Sequence, residues 1–346
     1  MLKQNELRPG LLLDEQGNLV EAGYGLSLVK EYKRNMARGG KMRLKEWDYY
    51  YVGNISYGIA LTVANNSYMG LLSVSFLDFV NPSDITKSIM LAFPGDKIVL
   101  PETSLSGDIK VEDSKKGYSF CFINEGKGKR RLLVYVKEFS KLGESFHCDI
   151  SLEESNEGSL VIATPFKKKA HFYYNQKINN LKANGYAKVG ERMLDFNDGS
   201  FGVLDWGRGV WTYKNTWYWS SLSARQNGHS FGWNLGYGFG DTCYASENIF
   251  YYDGKPHKLG KVRFDIPISK SGMDEFMKDW SFYFPDDSFE LHFHPVYNRH
   301  SDANALLIRS NQNQVFGLFS GSIMLEGKVI SFSSLPGFAE KVFNKW

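Results

Sequence analysis

The sequence predicts an all-β protein built as two consecutive antiparallel β-barrels or sandwiches with few short helices. Three observations carry that expectation. Short apolar, β-favouring runs recur along the whole chain at similar spacing, with polar turns between them. No strand–helix–strand rhythm interrupts them, which argues against a doubly wound or (β/α) barrel fold. The 346 residues include 34 glycines and are 15% aromatic, a composition of strands and tight turns rather than long helices.

The elements follow in order. Residues 1–20 read as a short arm, with turn signals at Pro9-Gly10 and Gln16-Gly17-Asn18. Residues 24–38 have the pattern of a short basic helix. From Glu46 onward the chain turns aromatic, and Trp47, Tyr49 and Tyr51 share one face of a strand. Strand patterns then cover 55–63, 68–80, 88–93, 108–112, 118–124, 131–139, 146–152 and 160–165. Residues 166–182, with Lys167–Lys169 and the polar run Asn175–Asn180, are the best candidate for a domain junction. The expected division is therefore an N-terminal barrel over 1–180 and a C-terminal barrel over 181–346. In the second half, strands are expected at 261–268, 280–284, 289–296, 305–310, 315–325 and 329–332, with a turn at Glu326-Gly-Lys. The closing segment 337–346 places Trp346 where it would plug a barrel end.

Composition narrows the function classes. The net charge of +3 comes from nearly balanced acids and bases, which gives no electrostatic case for nucleic acid. Three cysteines without CxxC spacing suit a reducing compartment and supply no zinc ligand set. There is no apolar run of transmembrane length and no signal-peptide core, so a cytoplasmic protein is the expectation. No Walker loop, dinucleotide fingerprint or nucleophile elbow is present, and no cofactor is called for. His292 and His294 would share a strand face, but with no third ligand nearby a metal is not expected.

Residues 197–257 organise the rest, because nowhere else do so many tryptophans and tyrosines lie beside so many glycines. Aromatic side chains bring apolar area with a polar edge, and glycine lets backbone approach closely. The pattern points to strands lining a concave site for a small molecule. Candidate ligand-contacting residues are Trp47, Trp206, Arg208, Trp211, Trp217, Trp219, Asn234, Tyr237, Asp241 and Tyr252. Candidate catalytic residues are Asp205 and Glu247. A carboxyl pressed against tryptophans has its pKa raised and can act as a general acid. Asp205 and Arg208 fall on opposite strand faces unless Gly207 bends the chain, in which case they form an ion pair. Asp205 with Glu247 would make an acid/base couple of the kind that cleaves glycosides. Asp241 reads as a turn cap, and Gly236–Gly240 as a sharp bend rather than a phosphate cradle.

The same stretch carries a family resemblance. Leu204-Asp-Trp-Gly-Arg-Gly-Val-Trp, Trp217-Tyr-Trp, Asn234-Leu-Gly-Tyr-Gly-Phe-Gly-Asp-Thr, Glu247-Asn and Tyr252-Asp-Gly resemble the DUF2804 family. Arg43-Leu-Lys-Glu-Trp and Gln314-Val-Phe-Gly-Leu-Phe-Ser-Gly look like its outer blocks. That family is similar at fold level to two-domain lipocalin-like proteins, among them carotenoid 1,2-hydratases, tocopherol cyclases and fungal Diels–Alder cyclases. The resemblance implies paired lipocalin-like barrels, a pocket at or between them, and hydrophobic or amphipathic ligands. Three functions stay open: binding of such a ligand, its acid-catalysed hydration, isomerisation or cyclisation, and, from the aromatic platforms with carboxylates and asparagines, carbohydrate handling by an Asp/Glu pair.

Overall fold

The computed structural model describes residues 4–286, 289–305 and 308–345. The protein is all-β, with two curled antiparallel half-barrel sheets consistent with two lipocalin-like domains. Among the described residues helix is confined to three short 3-10 turns, at Arg34–Met36, Lys41–Arg43 and Gly95–Lys97.

The first sheet joins two meanders through a central pair. Strands Ser83–Ala92, Met69–Asp78, Tyr57–Asn65 and Leu44–Gly53 form one meander. The second runs through Phe146–Glu153, Lys129–Val136, Tyr118–Gly126 and Ile109–Asp113. Between them lie Phe201–Val210 and the 18-residue strand Phe172–Val189. The second sheet is centred on the long strands Lys214–Gln226, Lys328–Lys345, Ile308–Leu325 and Phe289–Ala305.

Period-two alternation sets which way each strand faces. On Phe201–Val210, Leu204, Trp206 and Val210 enter the first domain's core. Val203 faces away from it and packs with Trp219, Phe316 and Phe338 of the second sheet. On Lys214–Gln226, Leu222 and Ala224 enter the second core, while Trp217 and Trp219 turn toward the first domain. The two sheets thus meet on the faces opposite their own cores.

One local expectation changes. Residues 24–38 hold a single 3-10 turn, Arg34–Met36, in place of the expected helix: Gly23–Gly25 pairs with Leu160–Pro165, and Lys30 and Tyr32 are buried. Sheet pairing and burial override a weak basic helical pattern. The junction expected within 166–182 is mostly strand. Its polar run is buried with its amides bonded: Asn175 and Gln176 donate within the first domain, to Asp205 and Ser159, and Asn179 Nδ2 reaches the second sheet, donating to Ser221 Oγ at 2.8 Å and to the Trp233 carbonyl at 2.9 Å. A bulge between Ile178 and Leu181 accommodates this, with Asn180 at φ 58°. The chain passes from one sheet to the other between Val210 and Lys214, so residue 180 lies inside the first sheet.

The closing segment 337–345 is the continuation of Lys328–Lys345, and Trp346 lies outside the described residues. The three cysteines are free. Among the described residues no helix is long and apolar enough to cross a membrane.

Candidate active site between the two sheets

Cross-strand register builds the site from two facing rows. In the first sheet, Lys177 lies opposite Asp205, Asp205 opposite Tyr49, and Tyr49 opposite Thr62. In the second, Trp219 lies opposite Glu340, Glu340 opposite Gln314, and Gln314 opposite Arg299. Both rows border one cavity of about 220 Å³. The space is therefore between the domains, whereas the barrel interiors are filled by their own apolar clusters.

Glycines make room for the rings. A Cβ on Gly207 would lie 2.0 Å from the Trp47 ring, so the tryptophan can lie over the strand only because residue 207 lacks one. Gly207 does not bend the strand; it keeps Asp205 and Arg208 on opposite faces. Trp47 stacks on Tyr173 at 6.1 Å between centroids and meets Trp211 edge-on at 5.2 Å. The bend expected at 236–240 is present, with Gly238 at φ 93° and Gly240 at φ 74°. It inserts Phe239 against Tyr173 and Trp211, each at 4.7 Å.

Three acids open onto this aromatic space, and their partners differ. Both oxygens of Asp205 are engaged: Oδ1 accepts from Asn175 Nδ2 at 2.6 Å, and Oδ2 lies 2.9 Å from Lys177 Nζ. The Lys177 ammonium also sits 3.9 Å from the Trp219 ring centroid. Glu340 accepts from Trp217 Nε1 at 2.8 Å through Oε1 and from Gln314 Nε2 at 3.2 Å through Oε2. Burial pushes its carboxyl up to about 7, against the opposing pull of the Trp217 bond and the Lys177 and Arg299 charges.

Glu247 is different. It is 7% exposed, and among the described residues its carboxyl takes part in no hydrogen bond or ion pair. Burial again pushes it up to about 7; Lys177 and Lys258 oppose the rise and Asp205 adds to it. Its backbone is firmly held. Asn234 Nδ2 donates to the Glu247 carbonyl at 2.6 Å, while Asn234 Oδ1 accepts from Trp219 Nε1 at 2.6 Å. Lys258 Nζ donates to the carbonyls of Ser246 at 2.8 Å and Asn248 at 2.9 Å, clamping both neighbours.

Of the sequence candidates, Trp47, Asp205, Trp211, Trp217, Trp219 and Glu247 border the cavity. Asn234 stands one step behind it, as the brace just described. The other candidates lie elsewhere. Trp206 and Arg208 are on the far face of their strand; Arg208 pairs with Asp48 at 3.0 Å and lies 4.3 Å from the Trp206 ring. The Arg208 ion pair is thus with Asp48, not Asp205. Tyr237 stacks on Tyr218 at 4.5 Å, against the second core. Tyr252 packs on Phe231 at 5.4 Å, and Asp241 is an exposed turn residue accepting from the Cys243 amide at 3.1 Å. His292 and His294 are exposed, each beside its own carboxylate, Glu290 at 3.2 Å and Asp279 at 2.8 Å. Among the described residues no cluster of three His, Cys, Asp or Glu is placed to hold a metal.

Sequence reasoning missed Glu340, Lys177, Tyr49 as a wall residue, Gln314 and Arg299. Phe172–Leu181 is buried at every position, so no alternation in the chain marks Lys177. Nothing local marks Glu340, whose environment is assembled from distant strands.

Several solved structures share this architecture. An AttH-designated protein from Nitrosomonas europaea aligns with TM-score 0.54 and 11% identity, over 92% of this chain and 98% of its own. Kievitone hydratase from Nectria haematococca gives 0.53 and 13%, over 97% and 98%. CghA gives 0.54 and 8%, over 98% and 97%. At these identities the likeness extends to the fold alone. No curated protein matches the chain in sequence. The family described as "Domain of unknown function (DUF2804)" matches residues 4–346, and the chain belongs to that family.

Proposed function

We propose that the cavity between the sheets takes up an amphipathic small molecule and that Glu247 transfers a proton to it. One observation carries the proposal. A carboxyl with no hydrogen-bond partner among the described residues faces an aromatic-walled space, and burial holds it near 7. A group titrating near neutrality is well matched to general acid catalysis.

The different surroundings of the two glutamates divide the roles. Trp217 and Gln314 both donate to Glu340, which favours its charged form and suits it to accept a proton. Glu247 has no such donors, which suits it to give one. Protonation of an alkene carbon by Glu247 uses the π pair to make the C–H bond. The resulting cation lies among ring faces that stabilise positive charge. Water then forms the C–O bond, and its proton passes to the Glu340 carboxylate. The two glutamates return to their starting forms by exchange with solvent. The net reaction is hydration, and its reverse is dehydration. Kievitone hydratase, with the same fold, is by name a hydratase. Glycoside cleavage by an Asp205–Glu247 couple has less support, because Asn175 and Lys177 already occupy both Asp205 oxygens.

Native mass spectrometry of the purified protein identifies the molecule it retains. That molecule is then incubated with protein in heavy water. Wild type is expected to incorporate deuterium at carbon, and Glu247→Gln to retain the ligand without exchange. Exchange at the wild-type rate in Glu247→Gln would overturn the proposal.

A further inference from the structure

Arg299 is the one cavity-wall cation with no carboxylate within ion-pair distance among the described residues. Lys177, the other cation on the wall, is spent on Asp205 at 2.9 Å. Arg299 Nη1 donates to Ser75 Oγ at 2.9 Å, across the domain boundary, and this is the only hydrogen bond of its side chain among the described residues. A guanidinium carries five N–H donors in a planar fork. Most of this fork is therefore uncommitted, beside a cavity walled by aromatic rings.

The surroundings favour an incoming acceptor. Arg299 lies opposite Gln314 in the sheet, and Gln314 Nε2 reaches Tyr49 OH at 3.3 Å and Glu340 Oε2 at 3.2 Å. The Ser75 bond braces the side chain from the first domain. A carboxylate matches the fork with two parallel hydrogen bonds, and Arg299 is half-buried, so water competes less for such a pair than at an open surface. Glu340 does not fill this role, because its carboxylate lies outside ion-pair distance of the Arg299 guanidinium, whose hydrogen bond goes to Ser75.

We infer that Arg299 is an anion clamp, and that the ligand class for this cavity is an aromatic or unsaturated carboxylate held by its acid group at Arg299. This rests on the proposed ligand-binding role of the same cavity and adds its specificity. The clamp sets the substrate's polar end, leaving its apolar body among Trp47, Trp217 and Trp219, on the walls that also carry Glu247.

The test uses 2-naphthoate and its neutral isostere 2-naphthamide, titrated calorimetrically into the full-length protein. Wild type is expected to bind the carboxylate at least about tenfold more tightly than the amide, as a charge-assisted pair supplies. Arg299→Gln should bring that ratio to about one. Arg299→Lys, which keeps the charge and loses the fork, should leave an intermediate ratio. The amide titration shows that each variant still forms the cavity. Equal binding of both probes to wild type, or a ratio unchanged in Arg299→Gln, would overturn the clamp while leaving the cavity as a binding site. Binding of neither probe would overturn both.

Discussion

The Lys177 ammonium lies 2.9 Å from Asp205 Oδ2 and 3.9 Å from the centre of the Trp219 ring, so one cation joins an acid of the first sheet to an aromatic of the second. Lys177 and Asp205 are direct cross-strand neighbours with side chains 5% and 11% exposed. Removing one partner of a buried pair strands the other charge, at a cost of about 3–5 kcal/mol. Lys177→Met is expected to lose that much in urea unfolding, and Lys177→Met with Asp205→Asn to recover most of it. Equal losses in the single and double variants would show that the pair is not coupled.

Packed rings also join the two domains. Phe338 is 1% exposed and meets Trp219 at 4.9 Å, Tyr51 at 5.6 Å and Phe316 at 5.6 Å. Phe338→Ala leaves a cavity where the sheets meet and should cost about 3–5 kcal/mol in denaturant unfolding. A loss under about 1 kcal/mol would mean that the sheets hold together without this cluster.

The two raised glutamates make stability depend on pH in a definite direction. Each carboxyl moves from 4.5 to about 7 on folding, so the folded chain holds these protons more tightly. Their contribution is fully favourable below about pH 4.5 and is lost as pH rises through about 7. At about 1.4 kcal/mol per pKa unit, each costs about 3 kcal/mol above that range. Glu247→Gln should therefore raise Tm at pH 8 and leave it little changed at pH 4.5. A lower Tm at pH 8 would contradict this.

Trp217 holds Glu340 down. Its Nε1–H bonds to the charged form at 2.8 Å, and a hydrogen bond to a charged group contributes about 1.5–3 kcal/mol. Trp217→Phe removes the donor while keeping a ring. The Glu340 carboxyl resonance should then titrate about one to two pH units higher in carbon NMR. An unchanged midpoint would show that the indole does not tune this acid.

Much of the fold was legible because strand alternation and turn chemistry are local. Asp253-Gly254 and Glu326-Gly327 mark hairpin turns, and both pairs have the positive φ angles such turns need, at 48° and 81° and at 49° and 78°. The long strands were harder to read. Phe289–Ala305, Ile308–Leu325 and Lys328–Lys345 run through polar or proline-bearing stretches that look like breaks. Bulges near Pro295 and Phe319 absorb the irregularities, and the polar residues Gln312 and Gln314 are polar because they face the cavity. The site was half legible for a related reason. Trp47, Asp205 and Glu247 stand in aromatic, glycine-rich motifs, whereas Glu340 and Arg299 acquire their surroundings only when distant strands come into register. Trp206 and Arg208 share the most distinctive motif yet serve the first domain's core, since neighbours in a strand face opposite ways.

The most direct measurement is the titration of Glu247 itself, by carbon NMR of protein labelled at the glutamate carboxyls, with Glu247→Gln supplying the assignment. A midpoint of about 7 is expected, a carboxyl still largely protonated at mildly acidic pH and able to give its proton to a bound molecule. A midpoint at the ordinary 4.5 would make Glu247 a carboxylate under those conditions and would remove the proposed proton donor.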